Sequence, residues 1–354
     1  MKALLLSAGF IIGITWGIFP GISKPKSTFA KLFALVVMTL TILLALLPQT
    51  AGSPEDAVLI SRMGTAKFIP VLCNIDISHA IRTDAPGEWI IPVHGSSMKS
   101  FLIRYTSPTM DDIDKKTFGD NNQVIAMLKR GSNDGEFFIN GIIAINPILT
   151  LPYIVGLEER ARILYFHVPM SWIAFLAYII AMIFSVKYIR KPDLYYDSIA
   201  SSAASLGTVF CVLATITGAI WAKFNWGSFW NWDPREISIF VLLLIYSAYF
   251  VLRSAIEDEE TRARLSSVYA ILGAVAAVFF IYIAPRIYGG LHPGSADDSS
   301  SGPVLSQQDG TLNVLKQIIL SLSFASFTII FYWMLNLSVR IKLAKKALFY
   351  SQHS

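Results

Sequence analysis

Two kinds of residue in this chain have types and spacing suited to chemistry. The stretch Trp221 to Glu236, WAKFNWGSFWNWDPRE, holds four of the eight tryptophans: Trp221, Trp226, Trp230 and Trp232. A tryptophan ring is large, flat and carries one polar N–H, so it favours membrane–water interfaces and planar ligands. Four within twelve residues predict a platform for something flat. His167, in Tyr165-Phe166-His167-Val168-Pro169, and His292, in Leu291-His292-Pro293, can add a metal to that platform. Neutral imidazole is a strong iron ligand, and two imidazoles on opposite faces of a porphyrin give six-coordinate haem. Arg235 and Arg286 are then the nearest partners for its carboxylates.

Each of these residues also has a plain structural reading. A lone interfacial histidine is more often solvated than a ligand, and tryptophans at helix ends commonly form a belt. Asp233-Pro234-Arg235-Glu236 reads as an N-cap, a proline at the first helical position and a glutamate at the third, a capping box opening the next helix. That is the main role expected of Asp233 and Glu236. Pro169 is likewise expected to open its helix and fix His167 at the membrane surface. The conjunction of the histidines with the tryptophan stretch is what favours the metal-macrocycle reading.

The elements that must position these residues follow from composition. The 354 residues are 54% hydrophobic and only 15% charged, with mean hydropathy +0.55. Soluble domains carry about a quarter charged residues, so the chain belongs in a membrane. The net charge of +5 comes from basic residues beside apolar spans, which excludes nucleic-acid binding as its purpose. Cys73 and Cys211 are far apart and no CxxC occurs, so neither a thiol–disulfide relay nor covalent c-type haem attachment is encoded. No GxxxxGK[ST] is present, and any ATP-driven step falls to another protein.

Apolar runs near residues 29–47, 168–186, 198–220, 237–252, 267–284 and 314–337 are each of a length to span a bilayer. Strict alternation places the basic groups around Lys187, Arg253 and Arg340 on one side, the cytoplasm by the positive-inside rule. His167, the tryptophan stretch and His292 then share the outer face. No histidine falls inside an expected span. The expected fold is an all-α integral membrane protein, a six-transmembrane-helix bundle with an inserted small β-rich extracytoplasmic domain. Its parts are an N-terminal hydrophobic segment at 1–22, which reads as an extra helix, an interfacial segment or a signal sequence, and a first transmembrane helix at 23–48. The β-rich insert at 49–150 follows, then a transmembrane core at 151–340 containing the loop 221–236, and a cytoplasmic tail at 341–354. Within the insert, Ser132-Asn133-Asp134-Gly135 reads as a hairpin turn. His79 and His94 there lack companions at metal-ligand spacing and read as surface or structural residues.

Trp226-Gly227-Ser228-Phe229-Trp230-Asn231-Trp232-Asp233 resembles the WGxxWxWD pattern of the haem-handling (WWD) superfamily of cytochrome c biogenesis. With the two histidine motifs in this order, the chain is most similar to its CcmC type across residues 156–340. The resemblance implies non-covalent, transient haem b binding at the outer face of the inner membrane. His167 and His292 would be the axial ligands, and Trp226, Trp230 and Trp232 the haem-contacting floor, with Asp233, Arg235 and Arg286 completing the cofactor-binding set. It implies delivery to a periplasmic haem chaperone (CcmE-like), with ABC transporter subunits (CcmA/CcmB-like) and a small single-helix subunit (CcmD-like) as partners, and no catalysis of its own. Two features depart from the type: the long insert, and the DPRE ending, which leans toward CcsA and CcmF. A CcsA-like haem lyase, attaching haem to apocytochrome c, is therefore the alternative.

Overall fold

Within hydrocarbon a chain must satisfy its own backbone, so apolar runs of bilayer length become helices. The computed structural model describes residues 2–353 apart from 65–66, 76–78, 86–87, 92, 95–101, 107–121, 133–135, 154–156, 293–294 and 298–313. In chain order the helices are α1 (Lys2–Ile18), α2 (Thr28–Leu46), α3 (Pro54–Met63), α4 (Leu164–Arg190), α5 (Leu194–Trp226), α6 (Pro234–Ala255), α7 (Glu259–Val278), α8 (Ala284–Ile287) and α9 (Val314–His353). A 3-10 turn, Glu158–Ile163, leads into α4, and a π-turn, Phe279–Ile283, joins α7 to α8. Among the described residues six helical stretches are long and apolar enough to cross a membrane, beginning with α2 and ending with α9. The chain is thus an all-α membrane protein carrying a β-rich insertion. It divides into two compact units, residues 1–45 with 162–354, and residues 46–161.

In the helical unit α4 packs against α5, α7 and α9. Tyr178, Phe210, Tyr246 and Phe331 fill the centre of this core. The Tyr178 and Tyr246 rings stack at 3.6 Å with 14° between their planes. The N-terminal apolar run is a helix, α1, lying along α9. Glycines at four-residue spacing allow that approach: a Cβ on Gly9 would sit 2.2 Å from the Ser321 carbonyl oxygen, on Gly13 2.6 Å from Thr328 Cβ, and on Gly17 2.2 Å from the Tyr332 ring. Lys26 closes the end of α1. Its Nζ donates to the carbonyls of Trp16 (2.9 Å), Gly17 (2.7 Å) and Phe19, and burial pushes its amine below the usual lysine value. Lys26 therefore serves as a C-cap for α1.

The opposite end of α5 is tied by charge. Asp197 in its first turn is buried and accepts two hydrogen bonds from Arg253 of α6, at 2.7 and 2.9 Å, while Lys342 of α9 donates to Ser201 at 2.7 Å. In the sequence Arg253 marks the cytoplasmic end of a span, and its pairing with Asp197 is not visible there. Each member lies within a turn or so of a helix end. Helix α9 continues to His353, so the basic segment after residue 340 is helical.

The inserted unit is a seven-stranded sheet with strand order β3-β4-β6-β8-β7-β2-β5 and a separate parallel pair, β1 with β9. The strands are β1 (Gln49–Ala51), β2 (Ile69–Ile75), β3 (Ile81–Arg82), β4 (Glu88–Ile91), β5 (Val93–His94), β6 (Leu102–Thr106), β7 (Asn122–Arg130), β8 (Glu136–Ile145) and β9 (Thr150–Pro152). Neighbours in the sheet run antiparallel except β6 with β8. Alternation along β2 buries Ile69, Val71, Cys73 and Ile75 on one face. The antiparallel β7 and β8 flank the hairpin turn expected at Ser132–Gly135, whose residues 133–135 lie outside the described residues. His79 is exposed.

Candidate functional site

His167 lies on α4 as its fourth residue, not ahead of the helix. Pro169 therefore does not open α4. The 3-10 turn from Glu158 has already started the helical path, and Pro169 sits inside it, where it has no N–H to donate to the Tyr165 carbonyl. The expectation that no histidine falls inside a span fails for His167, although it stays within the first turns. Across the interface, His167 Nδ1–H donates to the Ala214 carbonyl of α5 at 2.9 Å, with the Thr217 hydroxyl oxygen at 3.2 Å. A carbonyl can only accept, so Nδ1 carries the proton and the neutral ring keeps its lone pair on Nε2. Gly218 makes room for the ring: a Cβ there would stand 2.9 Å from His167 Cε1.

His292 follows α8 in the chain and is held the same way by a stronger acceptor. Its Nδ1–H donates to Asp233 Oδ1 at 2.9 Å, and the Leu291 amide donates to Asp233 Oδ2 at 2.7 Å. Asp233 is only 3% exposed. It also caps α6 as expected: its side chain accepts from the Arg235 amide at 2.9 Å and Glu236 completes the capping box. Burial raises the Asp233 carboxyl, but the hydrogen bond and charge of His292 with the Arg235 and Leu291 amides outweigh it and bring the value down to about 2. The capping role expected for Asp233 was therefore incomplete. One carboxylate starts a helix and orients a histidine 59 residues away.

Two tryptophans enclose His292. Trp221 stacks on it at 5.9 Å and 28°, and Trp226 meets it edge-on at 4.6 Å and 76°. Trp226 was expected at the site, whereas Trp221 was not assigned to the floor. Ala214, Thr217, Gly218 and Trp221 recur at helical spacing on one face of α5, and that periodicity is the signal which could have found them. Trp230 and Trp232 instead pair with each other at 5.9 Å and 89°, and Trp230 with Phe240 at 6.2 Å. Trp232 is 72% exposed and has φ +57, a left-handed conformation costly for so bulky a side chain. Arg235 is half-buried with its Nε unpartnered, and the exposed Arg286 donates to the Tyr282 carbonyl at 2.7 Å. Trp221, which stacks on His292, lies one turn along α5 from Thr217 and Gly218, which meet His167.

This end of the bundle offers two imidazoles with Nε2 lone pairs uncommitted among the described residues. It also offers tryptophan walls, one buried unpartnered indole N–H on Trp221, and two cations. No group of three or more His, Cys, Asp or Glu able to hold a bare metal ion exists among the described residues. Two protein ligands suffice only for a metal whose other ligands come with it, as in a planar macrocycle. The unpartnered Trp221 and Arg235 nitrogens fit the polar edge of such a ligand.

A multi-pass membrane protein with a histidine pair beside a tryptophan-walled loop is the class that fold and site define. The family model of CcmC, heme exporter protein C, matches residues 145–350. The chain is 32% identical to heme exporter protein C of Rhodobacter capsulatus over 197 residues, 56% of this chain and 78% of that protein. It is 28% identical to heme exporter protein C of Paracoccus denitrificans over 187 residues, 53% of this chain and 75% of that protein. The chain belongs to the CcmC family. Nearly all of the β-rich unit lies outside the match.

Proposed function

We propose that this protein handles haem in cytochrome c biogenesis, binding it non-covalently and passing it on without bond-making chemistry of its own. The observation that carries the reading is the matched tethering of His167 and His292. Each ring is fixed through Nδ1, leaving Nε2 for iron, at the end of the bundle that holds the tryptophan loop. His167 and His292 are the axial ligands of a b-type haem. Trp221 and Trp226 form its inner wall, and Trp230 and Trp232 the outer rim of the floor. Arg235 and Arg286 bind the propionates, and Asp233 acts through His292. The names of the relatives, heme exporter protein C, support the cargo. The basic residues that end α4 and α6, Lys187, Arg190 and Arg253, support an orientation with the site on the outer face of the cytoplasmic membrane.

The recipient in this reading is a periplasmic haem chaperone of CcmE type. ABC subunits of CcmA and CcmB type and a single-helix CcmD-type subunit are the companions. Reconstitution separates delivery from ligation: the haem-loaded protein is mixed with the chaperone while apocytochrome is omitted. Haem appearing on the chaperone is the expected result. Haem leaving only when apocytochrome is added, and appearing covalently on it, overturns delivery in favour of a lyase.

A further inference from the structure

The two histidines share a tautomer but not a partner. His292 donates to a carboxylate that is 3% exposed and pinned by two backbone amides, from Arg235 at 2.9 Å and Leu291 at 2.7 Å. His167 donates to the neutral Ala214 carbonyl, with a hydroxyl oxygen as its second neighbour. A hydrogen bond to an ionised acceptor is roughly twice as strong as a neutral one, and a carboxylate behind a ligating imidazole raises its basicity. The His292 ring is also enclosed by Trp221 and Trp226, whereas no aromatic ring contact to His167 occurs among the described residues. Both differences act in the same direction.

We propose that this asymmetry divides the work of the pair: His292, backed by Asp233, retains the iron, and His167, backed only by a backbone carbonyl, lets go first when the cargo is handed on. The proposal rests on the haem reading above. It involves ligand exchange alone, with no electron transferred: the His167 Nε2–iron bond breaks and a donor atom of the recipient takes the vacated position. Asp233 is then a positioning residue that sets the order of release.

The test titrates the full-length protein in detergent with haemin and measures affinity, absorption spectrum and midpoint potential. His167→Gly should keep haemin within a few-fold of wild type as a five-coordinate species, whereas His292→Gly should lose about 10–100-fold in affinity. Adding Asp233→Asn to His167→Gly should cost about 10–100-fold more and raise the midpoint potential, because the carboxylate's charge no longer favours the ferric ion. Asparagine caps a helix as well as aspartate and keeps one oxygen acceptor. Asp233→Ser, a third good cap, carries the same expectation if the asparagine variant is not recovered. Glu236→Gln weakens the same capping box without touching His292 and should leave the potential in place, which a merely structural role for Asp233 would not distinguish. Equal losses for the two histidine variants, or an unmoved potential in Asp233→Asn, overturn the asymmetry and leave the haem reading standing. A wild-type protein that takes up no haemin overturns both.

Discussion

His167 and His292 can serve a common ligand because each is held through Nδ1, and the space around them is as specific as the bonds. Gly218 is the clearest case. A side chain there meets His167 Cε1 at 2.9 Å, so Gly218→Val should displace the ring while leaving α5 in lipid. Haem affinity is expected to stay within a few-fold of wild type, as for His167→Gly, with normal expression and a spectrum shifted to five-coordinate ligation. In the inserted unit, burial pushes the Cys73 thiol up to about 12. Burial of the neutral thiol stabilises the fold fully below the unfolded value near about 8.5, and this contribution shrinks as pH rises from there toward about 12. Cys73 should resist alkylation at pH 8 until the protein is denatured, and rapid labelling of the folded protein would contradict its placement. The histidine pair and the tryptophan stretch were legible in the sequence because residue type and local spacing reveal them. The Asp233–His292 bond was not, because capping already explained Asp233 and its second partner is remote in sequence.

At the scale of elements, hydropathy located the six helices among the described residues that are long and apolar enough to span a membrane, but not what joins one to another. The Gly9-Gly13-Gly17 stripe was visible as letters, yet only its packing against Ser321, Thr328 and Tyr332 of α9 shows why each position must lack a Cβ. Gly13→Leu should overpack this contact, costing about 1–3 kcal/mol or dislodging α1, as read by unfolding in mixed micelles. The same blindness hid the Asp197–Arg253 bond, since an arginine after an apolar run reads first as a topology marker. Arg253→Ala leaves a buried carboxylate unpaired and should destabilise the helical unit by about 3–5 kcal/mol, whereas charge alone predicts only altered orientation. An unchanged unfolding midpoint in Arg253→Ala would show that the pair carries no such burden. Pro169 was misplaced for a related reason: a proline opens a helix only if nothing helical precedes it, and the turn from Glu158 does.

At the scale of the whole molecule, the β-rich unit has its own core, built on Val71, Cys73, Ile103, Val124, Leu128 and Phe137. Residues 46–161 expressed alone should melt in a single cooperative transition, and a chain with no transition would show that the unit depends on the rest. Alternating short apolar runs made this insert legible as β-rich, but strand order and the parallel β6–β8 pairing depend on contacts distant in sequence. The helical unit brings His167, His292, Trp221, Trp226 and Arg235 to one end, which is where the central claim is exposed to measurement. The absorption spectrum of the protein purified from haem-replete cells, beside those of His167→Ala and His292→Ala, tests it most directly. A six-coordinate, bis-imidazole spectrum that is lost in both variants is the result expected. A wild type without haem, or variants that both keep wild-type ligation, would contradict it.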